Sequence, residues 1–322
     1  MRLLSMFVSH ALFLAPERGT LADRAAIATE ARRRRAKPLG WPRGDQRRIG
    51  AMGLRERIGI DFGGKQRLEE ALNWAAANEV GYVDICVDGP PNELGTFDDR
   101  RVREVRTTLE RHGIRLGLHT LSAVNVAETS PYLRDAVDAY LRAYMDLAAR
   151  LDAGWIVVHA GYHFTSDYEH RRQAALERLK RAAAYAERTG VKLLLENMNR
   201  EPDDAEVHYL GHDVAECRYY FDQLTSPALG WAYTVNHAHM LPEGIAGFTD
   251  AFDLGRCGEV RLADNRGDKE EHLYPGAGTI DFKAMFDQIE GAGYRKHYML
   301  AFGSIEDMRR GRDDLVAISG RG

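Results

Sequence analysis

Eight short apolar, β-rich runs, each followed by a helical pattern, constrain this chain more than anything else in it. They fall at residues 57–62, 82–87, 115–119, 155–159, 192–196, 229–234, 259–263 and 297–302. Near-continuous apolar character suits parallel strands covered on both faces. The intervening segments carry apolar stripes at spacings of three and four. One is Tyr132, Leu133, Ala136, Val137, Tyr140, Tyr144, Leu147 and Leu151; another is Leu176, Leu179, Ala182, Ala183 and Ala186. Gly81, Gly113, Gly154, Gly190 and Gly293 follow helical stretches, where a helix ends and the chain turns into the next strand. Eight strand–helix units in about 260 residues give the count of a (β/α)8 TIM barrel of the α/β class. A doubly wound open sheet is the rival, and it would want a glycine-rich phosphate turn after the first strand. Asp61-Phe62-Gly63-Gly64 does not match GxGxxG.

The barrel is expected over residues 53–322, with residues 1–52 an N-terminal extension outside the fold. That extension opens on an apolar stretch and continues through Arg32-Arg33-Arg34-Arg35. A secretory signal lacks a small-residue cleavage site here, and a basic arm is most simply a solvated run. Met52 stands directly before the first strand and offers a start for the folded part. Of 44 basic and 48 acidic residues, 11 and 4 lie in the first 52, so the body holds 33 and 44. An acidic body argues against nucleic acid as partner. No apolar stretch reaches the roughly 18 residues of a membrane span. The cysteines Cys86, Cys217 and Cys257 form no CxxC pair, which fits a reducing, cytoplasmic compartment, and Cys86 reads as core. Association into a homo-oligomer stays open.

In a barrel, strand C-termini build the site. Those ends read Asp61, Asp88, His119, His159, Glu196-Asn197, Thr234 to His239, Asp264-Asn265 and Ala301, so seven of eight are polar or ionisable. Any one could be a hydrogen-bonded strand end; together they point to a pocket for a small polar molecule. Tyr162, Phe164, Trp231, Tyr233 and Tyr274 lie near strand ends and could stack on a sugar face or pack in the core.

From about residue 57 to 304 the chain resembles the xylose isomerase-like superfamily of sugar isomerases, epimerases and endonuclease IV relatives. The resemblance rests on Val158-His159-Ala160-Gly161, Leu194-Leu195-Glu196-Asn197, His237-Ala238-His239 and Leu262-Ala263-Asp264-Asn265. Its most specific part runs from Glu271-His272-Leu273-Tyr274-Pro275-Gly276 through Asp281-Phe282. The resemblance implies a Mn2+, Mg2+ or Zn2+ site made by Glu, Asp, His and Glu from the fifth to eighth strands, with the two glutamates moving protons. Only Glu196 matches. Thr234, Arg261 and Ala301 stand where the other three ligands are expected, so the family's divalent metal is expected to be weak or absent. Arginine offers a metal no lone pair. An Arg261 facing Glu196 would neutralise the carboxylate and could take over part of the ion's work on a carbonyl. Loss of function is the competing reading. His119, His159, His237 and His272 match positions where endonuclease IV relatives hold further metals, although a three-metal nuclease site is not assembled.

The resulting expectation is a sugar or polyol isomerase, epimerase or lyase relative working by proton abstraction next to a carbonyl. Glu196 would be the base, Arg261 the enolate stabiliser, and His237 or His159 the proton carrier. His119, Asn197, Thr234, Asp264, His272 and Trp231 would contact a sugar-like substrate. The alternatives are a non-catalytic barrel binding a small polar ligand or protein, and an ordinary metal-dependent isomerase. A Glu196–Arg261 pair sealed inside the protein would favour the non-catalytic reading.

Overall fold

The computed structural model describes residues 52–64 and 66–321. The expectation for the N-terminal segment, Met52 apart, lies outside these residues. Eight parallel strands close into a barrel in the order β1-β10-β9-β8-β6-β4-β3-β2. They are β1 (Ile58–Asp61), β2 (Tyr82–Ile85), β3 (Arg115–His119), β4 (Trp155–Val158), β6 (Leu193–Glu196), β8 (Leu229–Thr234), β9 (Cys257–Leu262) and β10 (His297–Leu300). The two remaining strands, β5 (Tyr162–Phe164) and β7 (Val207–Tyr209), pair antiparallel beside the mouth. Each is only three residues long, too short for an alternating pattern to stand out in the sequence. Among the described residues no helix is long and apolar enough to cross a membrane.

Local chemistry sets the helix ends. Asp98, Asp213 and Asp281 each accept a hydrogen bond from the backbone three residues on, and Ser304 forms a capping box with Asp307. Gly113, Gly190 and Gly320 close their helices in the left-handed conformation. The stripe that begins at Tyr132 becomes a helix only from Arg134 to Leu151. Tyr132 and Leu133 precede it and are exposed. Cys86 is also not a plain core residue: it is half-buried, with its thiol 3.0 Å from Asp88 Oδ2, while Cys217 and Cys257 are buried and unpaired.

Two apolar cores result. The larger fills the space between strands and helices. The smaller lies inside the barrel and contains Tyr82, Trp155, Val157, Leu194, Ala232 and Met299. Side chains alternate along each strand, so every second residue points inward. That alternation sends Asp84, Glu259 and His297 into the interior, where aliphatic side chains are the norm. His297 stacks on Tyr82 with ring centroids 4.6 Å apart, and Trp155 packs against it at 4.3 Å.

Candidate functional site

Arg261, at the end of β9, projects into the barrel. Its Nη1 donates to Asp84 Oδ2 and Glu259 Oε1, both at 2.7 Å, and its Nη2 donates to Asp61. Nε lies 3.7 Å from Glu196 Oε1. The guanidinium is sealed, at 4% side-chain exposure, and three carboxylates from three strands hold it. Gly117 makes room for one of them, since a Cβ there would lie 2.0 Å from Asp84 Oδ1. Glu259 Oε2 lies 2.9 Å from His297 Nε2, a neutral imidazole that burial holds down at about 3. Burial, then the neighbouring Glu259 charge, push the Asp84 carboxyl well up against the pull of Arg261. Burial likewise raises Glu259 despite the guanidinium beside it. The cage therefore carries more acidic groups than its one cation can hold ionised.

A second group stands beside it. His159 Nε2 lies 3.1 Å from Glu196 Oε2, His119 Nε2 lies 3.4 Å from the same oxygen, and the two ring nitrogens are 3.2 Å apart. The Thr234 hydroxyl donates to Glu196 Oε1, which leaves Oε2 turned to the imidazoles. Thr120 Oγ1 donates to the Val157 carbonyl, so it is free to accept from His159 Nδ1 at 3.4 Å. His119 Nδ1 faces Asp61 Oδ2 at 3.5 Å. Both rings are thus held by Nδ1, and their Nε2 lone pairs converge with a carboxylate oxygen. Three acceptors face one another only around a shared cation, a proton or a metal ion. In the metal-free protein the proton belongs to His119. Burial and the Arg261 charge push it down, but hydrogen bonds to Asp61 and Glu196 outweigh them and hold it at about 9. Burial leaves His159 below its ordinary value. Burial alone would raise Glu196, yet the two imidazoles and Arg261 keep it well below the carboxylate range.

The third group is His237, Glu270 and His272. Glu270 Oε1 lies 3.2 Å from His237 Nε2 and 2.7 Å from His272 Nε2. His237 Nδ1 donates to the Asn197 carbonyl at 2.7 Å, and His272 Nδ1 donates to the Ala301 carbonyl. Glu270 Oε2 is buried with no hydrogen-bond partner among the described residues. An orphaned oxygen on a carboxylate that two imidazole Nε2 atoms face makes a donor set for a borderline cation.

The four-ligand position implied by the sequence does not fit a divalent ion, because a caged guanidinium fills it. The two His–Glu–His groups do fit one. Ligand contacts near 2.0–2.1 Å in a tetrahedral site place ligand atoms about 3.3 Å apart. The 3.1–3.4 Å spacings of His119, His159 and Glu196 match that figure.

The structure brings His119, His159, Glu196, Thr234 and Arg261 together at the mouth, with His237 and His272 in the neighbouring group. Asn197 is buried and clamps β8, accepting from Thr234 N at 2.8 Å and donating to Thr234 O at 3.0 Å. Asp264 is also buried and committed. It accepts from the backbone N–H of Asn265, Gly276, Gly278 and Ile280, and so folds the loop that carries His272. A Cβ at Gly278 would lie 2.4 Å from Asp264 Oδ1, which accounts for the small residue in that motif. Trp231 is not at the mouth. It alternates with the inward Ala232, faces the helices, packs on Tyr233 and donates to the Asp253 carbonyl. Tyr233 shares that outer face, its hydroxyl donating to Ile245 O. Sequence reasoning missed Asp84 and Glu259, which sit within apolar strands, and Glu270, two residues before His272.

Among proteins of similar sequence, MJ1614 of Methanocaldococcus jannaschii, itself uncharacterised, is 25% identical over 262 residues, covering 79% of this chain and 94% of the relative. A D-tagatose 3-epimerase-like protein superimposes with a TM-score of 0.70 at 20% identity, covering 81% of this chain and 98% of the other. A D-psicose 3-epimerase from Clostridium cellulolyticum H10 gives 0.67 at 17%, covering 82% and 98%. At these identities the structures establish the fold. The family model for xylose isomerase-like TIM barrels matches residues 72–313, and the chain belongs to that family.

Proposed function

We propose that the chain is a sugar-type isomerase or epimerase relative that transfers a proton next to a carbonyl at the His119–His159–Glu196 triangle. The observation that carries this reading is the convergence of Glu196 Oε2 with two imidazole Nε2 atoms at 3.1 and 3.4 Å. A carboxylate and two imidazoles at one point can take a proton from carbon and return it, on the same face, to the neighbouring carbon of the enediolate. Glu196 is the base, with Thr234 fixing which oxygen it presents. His119 and His159 carry the proton, and His119 is the more exposed of the two. His237 and His272 form the neighbouring wall with Glu270. Arg261 is a positioning residue here: it works from beneath, through Asp61 on His119 and through its charge on Glu196. A divalent ion held by His237, Glu270 and His272 would polarise the carbonyl and stabilise the enolate oxygen while leaving Glu196 free as the base. The substrate is a small sugar-like molecule with a hydroxyl-bearing carbon beside its carbonyl, in keeping with the epimerase names among the structural neighbours.

One observation favours a binding-only barrel: Glu196 and Arg261 have side-chain exposures of only 5% and 4%. A single experiment separates the two readings. The full chain, with and without Mn2+ or Zn2+, is incubated with ketohexoses and sugar phosphates in D2O and followed by NMR. Enolisation introduces deuterium beside the carbonyl, and Glu196→Gln should stop it. Saturable binding of a sugar without exchange would establish the binding-only reading instead.

A further inference from the structure

The opposite end of the barrel holds a cavity of about 360 Å3, lined by residues at or just before the starts of β4, β6, β8, β9 and β10. Gly154, Gly230 and Gly258 line it, and their lack of side chains lets Leu194 pack over Gly258 and the Arg256 carbonyl approach Gly230. Its apolar wall is made by Trp155, Leu194 and Leu229. Three cations, Lys192, Arg256 and Lys296, also line it, and no carboxylate does.

These cations are hydrogen-bonded, but only to neutral groups. Lys192 Nζ donates to the Pro227 carbonyl. Lys296 Nζ donates to the carbonyls of Gly255 at 2.9 Å and Cys257 at 2.5 Å. Arg256 donates to the carbonyls of Phe221, Leu224 and Leu229. Carbonyl oxygens take these donors, and among the described residues no carboxylate stands within ion-pair distance of the three. Asp253, whose Oδ1 accepts from Gly255 N at 2.8 Å, offsets the Lys296 charge only in part: burial still holds that ammonium below its ordinary value. Burial, then the charges of Lys296 and Arg256, pull the Lys192 ammonium below its ordinary value. Three like charges around one half-enclosed hollow repel one another and focus a positive potential, here on a protein whose body is net acidic.

We propose that this barrel floor is a binding site for a small organic oxyanion, with its charged head among Lys192, Arg256 and Lys296 and its apolar body against Leu194 and Trp155. A volume of this size accommodates a small metabolite. The site is separate from the mouth, at the other end of the same strands, and does not depend on the reading given for it.

Calorimetric titration of the full chain tests this with three probes at fixed ionic strength: phenyl phosphate, benzoate and inorganic phosphate. Phenyl phosphate should bind saturably at one site per chain, inorganic phosphate at least tenfold more weakly, and benzoate in between. Thr225→Glu, on an exposed lining residue, adds a charge without disturbing the packing and should weaken phenyl phosphate at least tenfold. Lys192→Met with Lys296→Met should do the same. Binding that survives Thr225→Glu, or heat signals matched by chloride at equal ionic strength, would overturn the proposal. Phosphate bound as tightly as phenyl phosphate would remove the apolar part of it. The D2O exchange experiment is read independently of all three outcomes.

Discussion

The two halves of the barrel mouth treat charge in opposite ways. Around β9, β1 and β2, a guanidinium is covalently part of the protein and three carboxylates close on it. Around β3, β4 and β6, and again at His237, Glu270 and His272, imidazole nitrogens and a carboxylate converge on a point that no guanidinium occupies. The first arrangement is complete as folded; the second is completed by a proton or an ion. An arginine at one position of the mouth therefore leaves convergent donor groups beside it. Simple decay would leave Arg261 among unrelated neighbours. Here Asp61, Asp84 and Glu259 all meet it, and Gly117 opens the space for Asp84.

The largest expected effect comes from breaking the closed half. Arg261→Ala leaves the buried Asp84 and Glu259 and the half-buried Asp61 without their cation, and stability should fall by about 3–5 kcal/mol. Urea unfolding measures it, and a loss below about 1 kcal/mol would mean the cage is not a unit. Arg261→His combined with Thr234→Asp and Ala301→Glu restores the family's ligand types. With the built-in cation gone and two acids added, this variant should fold stably only with Mn2+ or Zn2+ bound, so chelator should lower its melting temperature by several degrees more than it lowers the parent's. Thr234→Asp alone should gain no metal, since Arg261 still stands beside the new acid.

The open half should respond through affinity. His159→Ala removes a ligand atom and should abolish stoichiometric Zn2+ at the triangle. Thr120→Val leaves the ligand but frees its ring, and should weaken the ion roughly 10- to 100-fold, the range for outer-shell partners. Competition titration against a chromogenic chelator gives both numbers. Equal affinity in Thr120→Val and the parent would remove the argument that Nδ1 anchoring prepares His159.

The fold was open to sequence reading because parallel strands covered on both faces must be apolar along their length, and eight such runs are hard to arrange otherwise. The residues of the triangle were open for the same reason: His119, His159 and Glu196 interrupt apolar runs at their ends. Asp84 and Glu259 were hidden by the reverse situation. They lie inside such runs, and their meaning depends on strand parity, since each alternates with outward Val83 or Val260 and points at Arg261. Parity would equally have moved Trp231 to the outer face. Glu270 was hidden because the loop before His272 has no period, and only the fold of Asp264 over Gly276 and Gly278 brings it between two imidazoles. Asp264 itself drew notice as a polar strand end, and its four backbone bonds could not be foreseen from composition.

The smallest effect sharpens the contrast by using an imidazole whose two carboxylates do not converge: Glu216 faces His212 Nδ1, and Asp213 Oδ2 lies 3.6 Å from Nε2 on the other side of the ring. His212 Nδ1 lies 3.0 Å from Glu216 Oε2 and 3.1 Å from the Tyr209 carbonyl, while Glu216 Oε2 also accepts from Gly211 N at 2.7 Å. Burial pushes His212 down, but the hydrogen bond and charge of Glu216 outweigh it, so its value is raised. Burial pushes Glu216 up, but the His212 hydrogen bond and charge outweigh it, so its value is lowered. The Glu216 contribution is present above the unfolded carboxylate value near 4.5 and fades as pH falls through the folded one. The His212 contribution is present below the unfolded imidazole value near 6.5 and fades as pH rises through the folded one. Stability from the pair should therefore be greatest between roughly pH 4.5 and 6.5 and amount to about 1 kcal/mol, because His212 is partly solvated. Urea midpoints across pH 4–8.5 should show this maximum in the parent, and His212→Gln should flatten it. Zinc should leave that difference unchanged, because Glu216 and Asp213 face opposite ring nitrogens and offer no common point for an ion. A difference that disappears on adding zinc would show that two donors suffice on this barrel, and that convergence of three is not what marks the open half of the mouth.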